Sequence, residues 1–316
     1  MGVPETVQAP KLAFPLAYVP PATRPYLELI RFEKPTGTWL TFWPFAWGLT
    51  MAAYRTNLPL NTYLTDLLRY FFIAFIIRSS ACTVNDMFDR KIDAGVERTK
   101  NRPLASGRIS VFAAFIYLMF QYALGAWVCK GMHEIAYAAA MTQMLPLLSI
   151  YPLFKRYTYW PQAYLGIGMS FGLVAAWVDT THTIDYELLG VMLASGWCWT
   201  MQYDTIYACQ DRKDDVKMGV HSTAVLFGDY VMPFIKLNAL SFLALLAYAG
   251  TLNNQGTPYY VVTIGGTALW LIRQFAVLDL EVSESCWNAF KKNGQLGWVV
   301  TAGLALDYLF KLHSAI

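Results

Sequence analysis

The sequence predicts an all-α, polytopic membrane protein, and three observations carry that reading. Hydrophobic residues fill 56% of the 316 positions and charged residues only 14%, against about 45–50% and 25% in soluble domains. A single soluble core of this length cannot bury that excess, so the composition excludes a disordered chain and argues against a soluble enzyme. Apolar runs recur nine times between polar breaks, and nine spans of about 20 residues use about 180, which leaves chain enough for loops. The bases, finally, are unevenly shared. With loops assigned alternately to two faces, 17 of the 24 Lys and Arg residues fall on one face and four on the other, with Arg78, Lys236 and Arg273 inside spans. By the positive-inside rule the basic face, which includes the N-terminus, is cytosolic.

Along the chain, residues 1–25 hold six of the fifteen prolines, which remove helix donors, and read as a flexible tail ahead of one transmembrane domain over 26–316. The first 30 residues carry only Lys11 and Arg24 as bases against Glu5 and Glu28, unlike an arginine-rich mitochondrial presequence. The predicted spans are about 38–54, 67–84, 111–129, 135–150, 162–178, 187–203, 231–250, 258–278 and 295–310. Several are interrupted by Gly or Pro, which membrane helices tolerate. A net charge of +3 without a block of like charge gives no sign of a nucleic-acid partner, and no obligate protein partner is evident. The five cysteines are odd in number and lack CxxC spacing, so they read as packing residues rather than a disulfide or zinc framework.

The chemistry lies where spans end. The second runs into Asn85-Asp86-Met87-Phe88-Asp89-Arg90-Lys91-Ile92-Asp93, and the i, i+4, i+8 spacing of Asn85, Asp89 and Asp93 puts them in one helical column. The sixth ends in Asp211-Arg212-Lys213-Asp214-Asp215, with Asp211 and Asp215 at i, i+4. A carboxylate facing lipid at the bilayer centre costs about 2.5–3.5 kcal/mol on insertion scales, so these acids must face a polar cavity near the interface. Like charges one turn apart raise each other's pKa unless a cation intervenes, and hard oxygen ligands without His or Cys suit magnesium. A lone DxxxD pair is commonly a solvated helix end; two on the same face, each beside bases, point instead to a site. Arg98, Lys100 and Arg102 follow the first cluster and Lys155 and Arg156 the fourth span. Guanidinium groups match phosphate oxygens, although Lys155 and Arg156 also read as a topology signal. Together the acids and bases suggest a magnesium-bridged diphosphate site.

Arg78 sits inside an apolar span, where an ionisable residue is a functional candidate. It precedes Asn85 by seven and Asp89 by eleven, offsets that return to nearly the same helix face, so it points into the same cavity at greater depth. Asp204 stands in the same relation to Asp211 and Asp215, as if the two helices were duplicated halves.

These residues resemble the signatures of the UbiA superfamily of membrane aromatic prenyltransferases. Asn85 to Asp89, continuing through Asp93 to Arg98-Thr99-Lys100-Asn101-Arg102-Pro103-Leu104, is similar to its first motif. Tyr203-Asp204-Thr205-Ile206-Tyr207-Ala208 with Asp211 and Asp214-Asp215 is similar to the second motif of the 4-hydroxybenzoate polyprenyltransferase branch. Arg31-Phe32-Glu33-Lys34-Pro35-Thr36-Gly37-Thr38-Trp39, Tyr151-Pro152 and Trp160-Pro161-Gln162 match further. The resemblance implies a nine-helix bundle, magnesium held by Asn85, Asp89, Asp93, Asp211 and Asp215, and diphosphate held by Arg98 and Arg102, with Lys155 and Arg156 beside them. It implies that the aromatic acceptor docks at Arg78, and we group Arg31, Asp204 and Tyr207 on that acceptor side. Asp89, Asp211 and Arg78 are then the catalytic residues, and Tyr151, Tyr203 and Tyr207 are candidates to shield an allylic cation.

Glu33 stands where the quinone branch has Asp, and the long N-terminal extension of mitochondrial members is missing. The expected activity is therefore magnesium-dependent transfer of a prenyl group, farnesyl in the preferred reading, to a polyketide-derived phenol, acid or pyrone in fungal meroterpenoid biosynthesis. The expected location is the endoplasmic reticulum rather than the mitochondrial inner membrane. The alternatives are a 4-hydroxybenzoate polyprenyltransferase of ubiquinone synthesis and, from another class, an ion-coupled transporter, which would set its acids near the midplane of both halves.

Overall fold

The computed structural model describes residues 14–314, apart from the Lys213 side chain. The expected tail thus lies, over residues 1–13, outside the described residues. From Phe14 the chain makes a short turn of 3-10 helix, Leu16–Tyr18, whose Leu16 is buried. It then enters α1 (Arg24–Leu29) after Arg24 Nε donates to the Val19 carbonyl at 3.1 Å.

Among the described residues the fold is helical throughout, without a strand: α2 (Thr36–Thr56), α3 (Leu60–Asp93), α4 (Val111–Val128), α5 (Glu134–Thr142), α6 (Leu148–Tyr157), α7 (Pro161–Thr181), α8 (Tyr186–Cys209), α9 (Arg212–Met218), α10 (Thr223–Phe227), α11 (Val231–Leu252), α12 (Gly266–Val277) and α13 (Ser283–Ser314). Local signals set the boundaries. Side-chain caps open α4 and α8, where Ser110 Oγ and Asp185 Oδ1 each accept a backbone N–H at 3.1 Å, satisfying donors the first helical turn leaves free. Pro161 starts α7 at the one place where its missing N–H costs nothing. Asn57 and His182 close α2 and α7 in the left-handed conformation. Between α5 and α6 a π-helical turn, Gln143–Leu147, carries Pro146 and joins the two into one continuous rod.

Five helical stretches, Leu60–Asp93, Val111–Val128, Pro161–Thr181, Thr223–Leu252 and Tyr259–Val277, are long and apolar enough to cross a membrane. The other stretches predicted to span are helical too, but their composition alone does not reach that level. The reason is where they sit. Helix α2 is buried almost from end to end and packs against α3, α7 and α13. A helix wrapped by protein can carry Thr38, Thr41 and Thr50, whereas α4 turns Phe112, Phe120 and Trp127 outward. Trp43 shows how closely the interior is packed: its indole lies where a Cβ on Gly297 of α13 would be, and its Nε1 donates to the Gly294 carbonyl at 2.7 Å. All five cysteines are buried and unpaired.

Candidate active site

One cavity of about 930 Å³ opens at the end of the bundle where α2 begins and α3 and α8 end. Thirteen of the residues singled out above line it, Arg31, Arg78, Asn85, Asp89, Asp93, Arg98, Arg102, Lys155, Arg156, Asp204, Tyr207, Asp211 and Asp215, as do Tyr151 and Tyr203, whereas Lys100 pairs with Glu97 outside it. Helix α3 runs unbroken to Asp93, so Asn85, Asp89 and Asp93 do form one column. The second cluster is built differently from the expectation. The sixth span ends at Cys209, the backbone turns through Gln210 and Asp211, and Asp215 is carried by the separate seven-residue α9, with Asp211 at its N-cap. The seven- and eleven-residue offsets from Asp204 therefore do not run along one helix.

The acids and bases are interleaved. Arg98 grips Asp211 with two nitrogens, one at 3.0 Å, while its Nη1 donates to the Tyr207 hydroxyl at 3.1 Å. Arg102 Nη1 donates to both Asp93 oxygens at 3.0 and 2.9 Å and to Asp86 at 3.3 Å. Lys155 Nζ lies 3.4 Å from Asn85 Oδ1 and 3.6 Å from Asp89, and Arg156 Nη2 lies 3.7 Å from Asp89. The loop after α9 is tied to α6 by His221 N donating to the Lys155 carbonyl at 2.9 Å, which brings the carboxylates of α9 to the bases of α6. Burial, and then the charge of Asp211, push the Asp215 carboxyl up to about 7.

Arg31 is held in left-handed backbone, φ 58°, a costly conformation for a residue with a Cβ. Its side chain accounts for the constraint: Nη2 donates to Asp86 at 2.6 Å and Nη1 to the Glu28 carbonyl at 2.9 Å. Arg78 is the exception to this pairing. Among the described residues it has no ion-pair partner, and its Nε is buried without an acceptor. Room for its guanidinium comes from Gly37 of α2, where an added Cβ would lie 2.8 Å from Cζ.

Among the described residues no three carboxylate, His or Cys groups are gathered into a ready metal site; each acid of the first column faces a base instead. The donor set nonetheless fits a hard divalent cation. Five oxygen-bearing side chains, three on α3 and two at the start of α9, line one cavity, and such hard donors suit a divalent cation.

Three groups were not assigned from sequence. Asp86, fully buried, anchors both Arg31 and Arg102. Trp287 and Phe290 of α13 stack at 5.6 Å, with Phe290 4.7 Å from Tyr207 and 6.0 Å from Tyr203, so an aromatic wall continues the cavity inward. Glu33 lines the same cavity with a buried, unpartnered Oε2, and burial raises its carboxyl.

Residues 41–299 match the family model described as the UbiA prenyltransferase family. The chain belongs to this family. It is 45% identical, over 90% of its length and 91% of the relative's, to the UbiA prenyltransferase claS of Ampulloclitocybe clavipes. It is 38% identical, over 92% of its length and 77% of the relative's, to the mitochondrial 4-hydroxybenzoate polyprenyltransferase of Homo sapiens. The fold is similar to an apo UbiA homolog from Aeropyrum pernix K1, with a TM-score of 0.71 over 85% of this chain and 97% of that one at 21% identity. It is similar also to the UbiA homolog from Archaeoglobus fulgidus bound to GPP and Mg2+, with a TM-score of 0.61 over 87% and 99% at 17% identity. This UbiA-family chain is thus a membrane-bound aromatic prenyltransferase, not an ion-coupled transporter.

Proposed function

We propose that this enzyme uses magnesium to transfer a farnesyl group from an allylic diphosphate to a ring carbon of a polyketide-derived phenol, acid or pyrone in meroterpenoid biosynthesis. The observation that carries the reading is the single graded cavity, charged at its mouth and floored by Leu40, Leu148, Leu165 and Met169. Its volume lies near the top of the ~300–1,000 Å³ range of small-molecule sites, enough for two substrates side by side. The 45% identity to a fungal relative supports the meroterpenoid assignment, and the prenyl diphosphate and Mg2+ bound by the Archaeoglobus fulgidus homolog support the donor and the metal.

In this reading Arg98, Arg102 and Lys155 exchange their carboxylate partners for the oxygens of the diphosphate, Arg156 turns to it from the Phe88 carbonyl, and the four stabilise it as the allylic C–O bond breaks. Asn85, Asp89, Asp93, Asp211 and Asp215 would hold the magnesium, which would supply further positive charge to the departing anion. The faces of Tyr203, Tyr207 and Phe290 lie along the path of the allylic cation and exclude water from it. Arg78, with no acid of its own, holds the acidic or phenolic group of the acceptor, with Arg31, Asp204 and Tyr207 on the same side. The ring carbon then forms the new C–C bond and the ring loses its proton. The same reading takes the nine long helical stretches as nine spans of a single domain over 26–316, with the N-terminus cytosolic and the protein in the endoplasmic reticulum.

The test is product mass spectrometry with microsomes given magnesium, a series of allylic diphosphates and a panel of aromatic acceptors. Farnesylation of phenols or pyrones is expected. The 38% identity to mitochondrial 4-hydroxybenzoate polyprenyltransferases favours a second reading, which predicts 4-hydroxybenzoate carrying a long polyprenyl chain as the only product. Tags in the 85–110 loop and at the C-terminus should report opposite sides of the membrane.

A further inference from the structure

The buried Asn293 amide has its orientation settled by its neighbours. Trp199 Nε1, which can only donate, points at Asn293 Oδ1 at 3.3 Å. The Asn293 amide is therefore turned with Nδ2 toward the Ala289 carbonyl, 3.0 Å away, and toward Gln274 Oε1, 3.3 Å away. That leaves Gln274 Nε2 as a donor with no acceptor, on a side chain only 2% exposed. An unmet buried donor costs about 1–3 kcal/mol.

Gln274 lines a second pocket, about 320 Å³, between the end of α12 and the start of α13. A water molecule occupies about 30 Å³ of liquid, so the pocket has room for a far larger group. One wall is a column on α13, Glu284, Asn288 and Lys292 at i, i+4, i+8. Neither Glu284 nor Lys292 has an ion-pair partner among the described residues. Their eight-residue offset sets their Cα atoms about 12 Å apart along the helix, a gap that two flexible side chains and a small zwitterion can close. Beside the pocket, Val277 and Val282 expose apolar surface. Glu284 also touches the mouth of the large cavity, which places the pocket at the same end of the bundle, near the level of lipid headgroups.

We propose that this pocket binds the headgroup of a zwitterionic phospholipid, the phosphate against Gln274 Nε2 and Lys292, the ammonium against Glu284, and the acyl chains past Val277 and Val282. The Gln274 donor has no acceptor where it stands, and a turn of its side chain toward the pocket it lines gives it a phosphate oxygen. The opposed charges on one column select a zwitterion, because Glu284 repels a purely anionic headgroup.

The test is independent of catalysis. Purified full-length protein in detergent is mixed with phosphatidylcholine, phosphatidylethanolamine or phosphatidylglycerol of the same chains, and bound lipid is counted by native mass spectrometry. The two zwitterionic lipids should bind about tenfold more tightly than phosphatidylglycerol. Lys292→Ala and Gln274→Leu should each weaken them about tenfold, and Glu284→Gln should abolish the preference over phosphatidylglycerol. Gln274→Leu removes the partner of Asn293 and can destabilise the bundle; Lys292→Ala changes an exposed residue and decides the matter alone. Equal or tighter binding of phosphatidylglycerol, unchanged binding by Lys292→Ala, or displacement of the lipid by an equal concentration of free phosphocholine would each overturn the proposal.

Discussion

At the end of the bundle remote from the cavity, Arg55 donates to Asn253 Oδ1, Asp185 and the Leu252 carbonyl, and Lys311 donates to the Tyr54 carbonyl at 2.6 Å. Asp307 accepts from Gly256 N at 2.7 Å, and Asp179 accepts from Arg69, from the Tyr70 hydroxyl and from the backbone N–H of His133. At the cavity end Arg31 and Arg156 also reach the Glu28 and Phe88 carbonyls, but Arg98, Arg102 and Lys155 meet only side chains across an open space, and Arg78 meets no acid. The two ends carry similar charges and differ in where those charges terminate. A charge that ends on a helix terminus satisfies backbone groups that would otherwise be orphaned and is committed to stability. A charge that ends on another side chain can be handed to a ligand, because its first partner can be taken up by a cation at the same time.

The comparison breaks most visibly through metal removal. A chelator should abolish turnover and added magnesium restore it, with the far-ultraviolet circular dichroism unchanged; full turnover in excess chelator would end the magnesium reading. Next, Asp89→Ala and Asp215→Ala should each lower kcat by about 10³-fold, in line with the loss of a preorganised charge at a departing group, with little change in the unfolding midpoint. Asp179→Ala at the opposite end should do the reverse. Removing one partner of a buried, hydrogen-bonded pair costs about 3 kcal/mol or more, so thermal unfolding should shift markedly while kcat per folded molecule holds. A large fall in kcat there would erase the distinction between the ends.

Arg78→Ala should raise KM for the acceptor by about 10–100-fold, the worth of hydrogen bonds to a charged group, and leave KM for the diphosphate nearly unchanged. A loss confined to the diphosphate would move Arg78 to the other half of the site. The smallest effect belongs to Arg55→Ala. Its pair with Asp185 is about one-third exposed on both sides, so unfolding measurements should register no more than about 1–2 kcal/mol, mostly from the bonds to Asn253 and Leu252.

How much of this could be read in the chain depended on the range of the interaction. The first acidic column was legible because it is local: the four-residue spacing of Asn85, Asp89 and Asp93 needs only a continuing helix, and α3 continues. The break at Gln210 was not, since neither Gly nor Pro marks it and the spacing of Asp211 and Asp215 is the same on one helix or the next. Asp86 escaped assignment because its partner Arg31 lies 55 residues away. Trp287 and Phe290 escaped because, in a chain with 16% aromatic residues, nothing distinguishes two of them until α13 is folded against α8. Helix α2 showed the same limit in the fold. The run at 38–54 was legible as a helix, but its threonines gave no sign that its neighbours are other helices.

The close approach of Gly37 to Arg78 has a consequence for how such an enzyme can diverge. The guanidinium rests against a backbone position with no side chain, so one added carbon there acts on the arginine as a wedge. With Arg78 at the acceptor, as proposed, acceptor scope would be adjustable from a neighbouring helix, with the acidic columns and the arginine itself left as they are. A lineage exploring new aromatic partners would leave its record at a glycine, and a search for determinants of selectivity that follows only charged residues would pass over it.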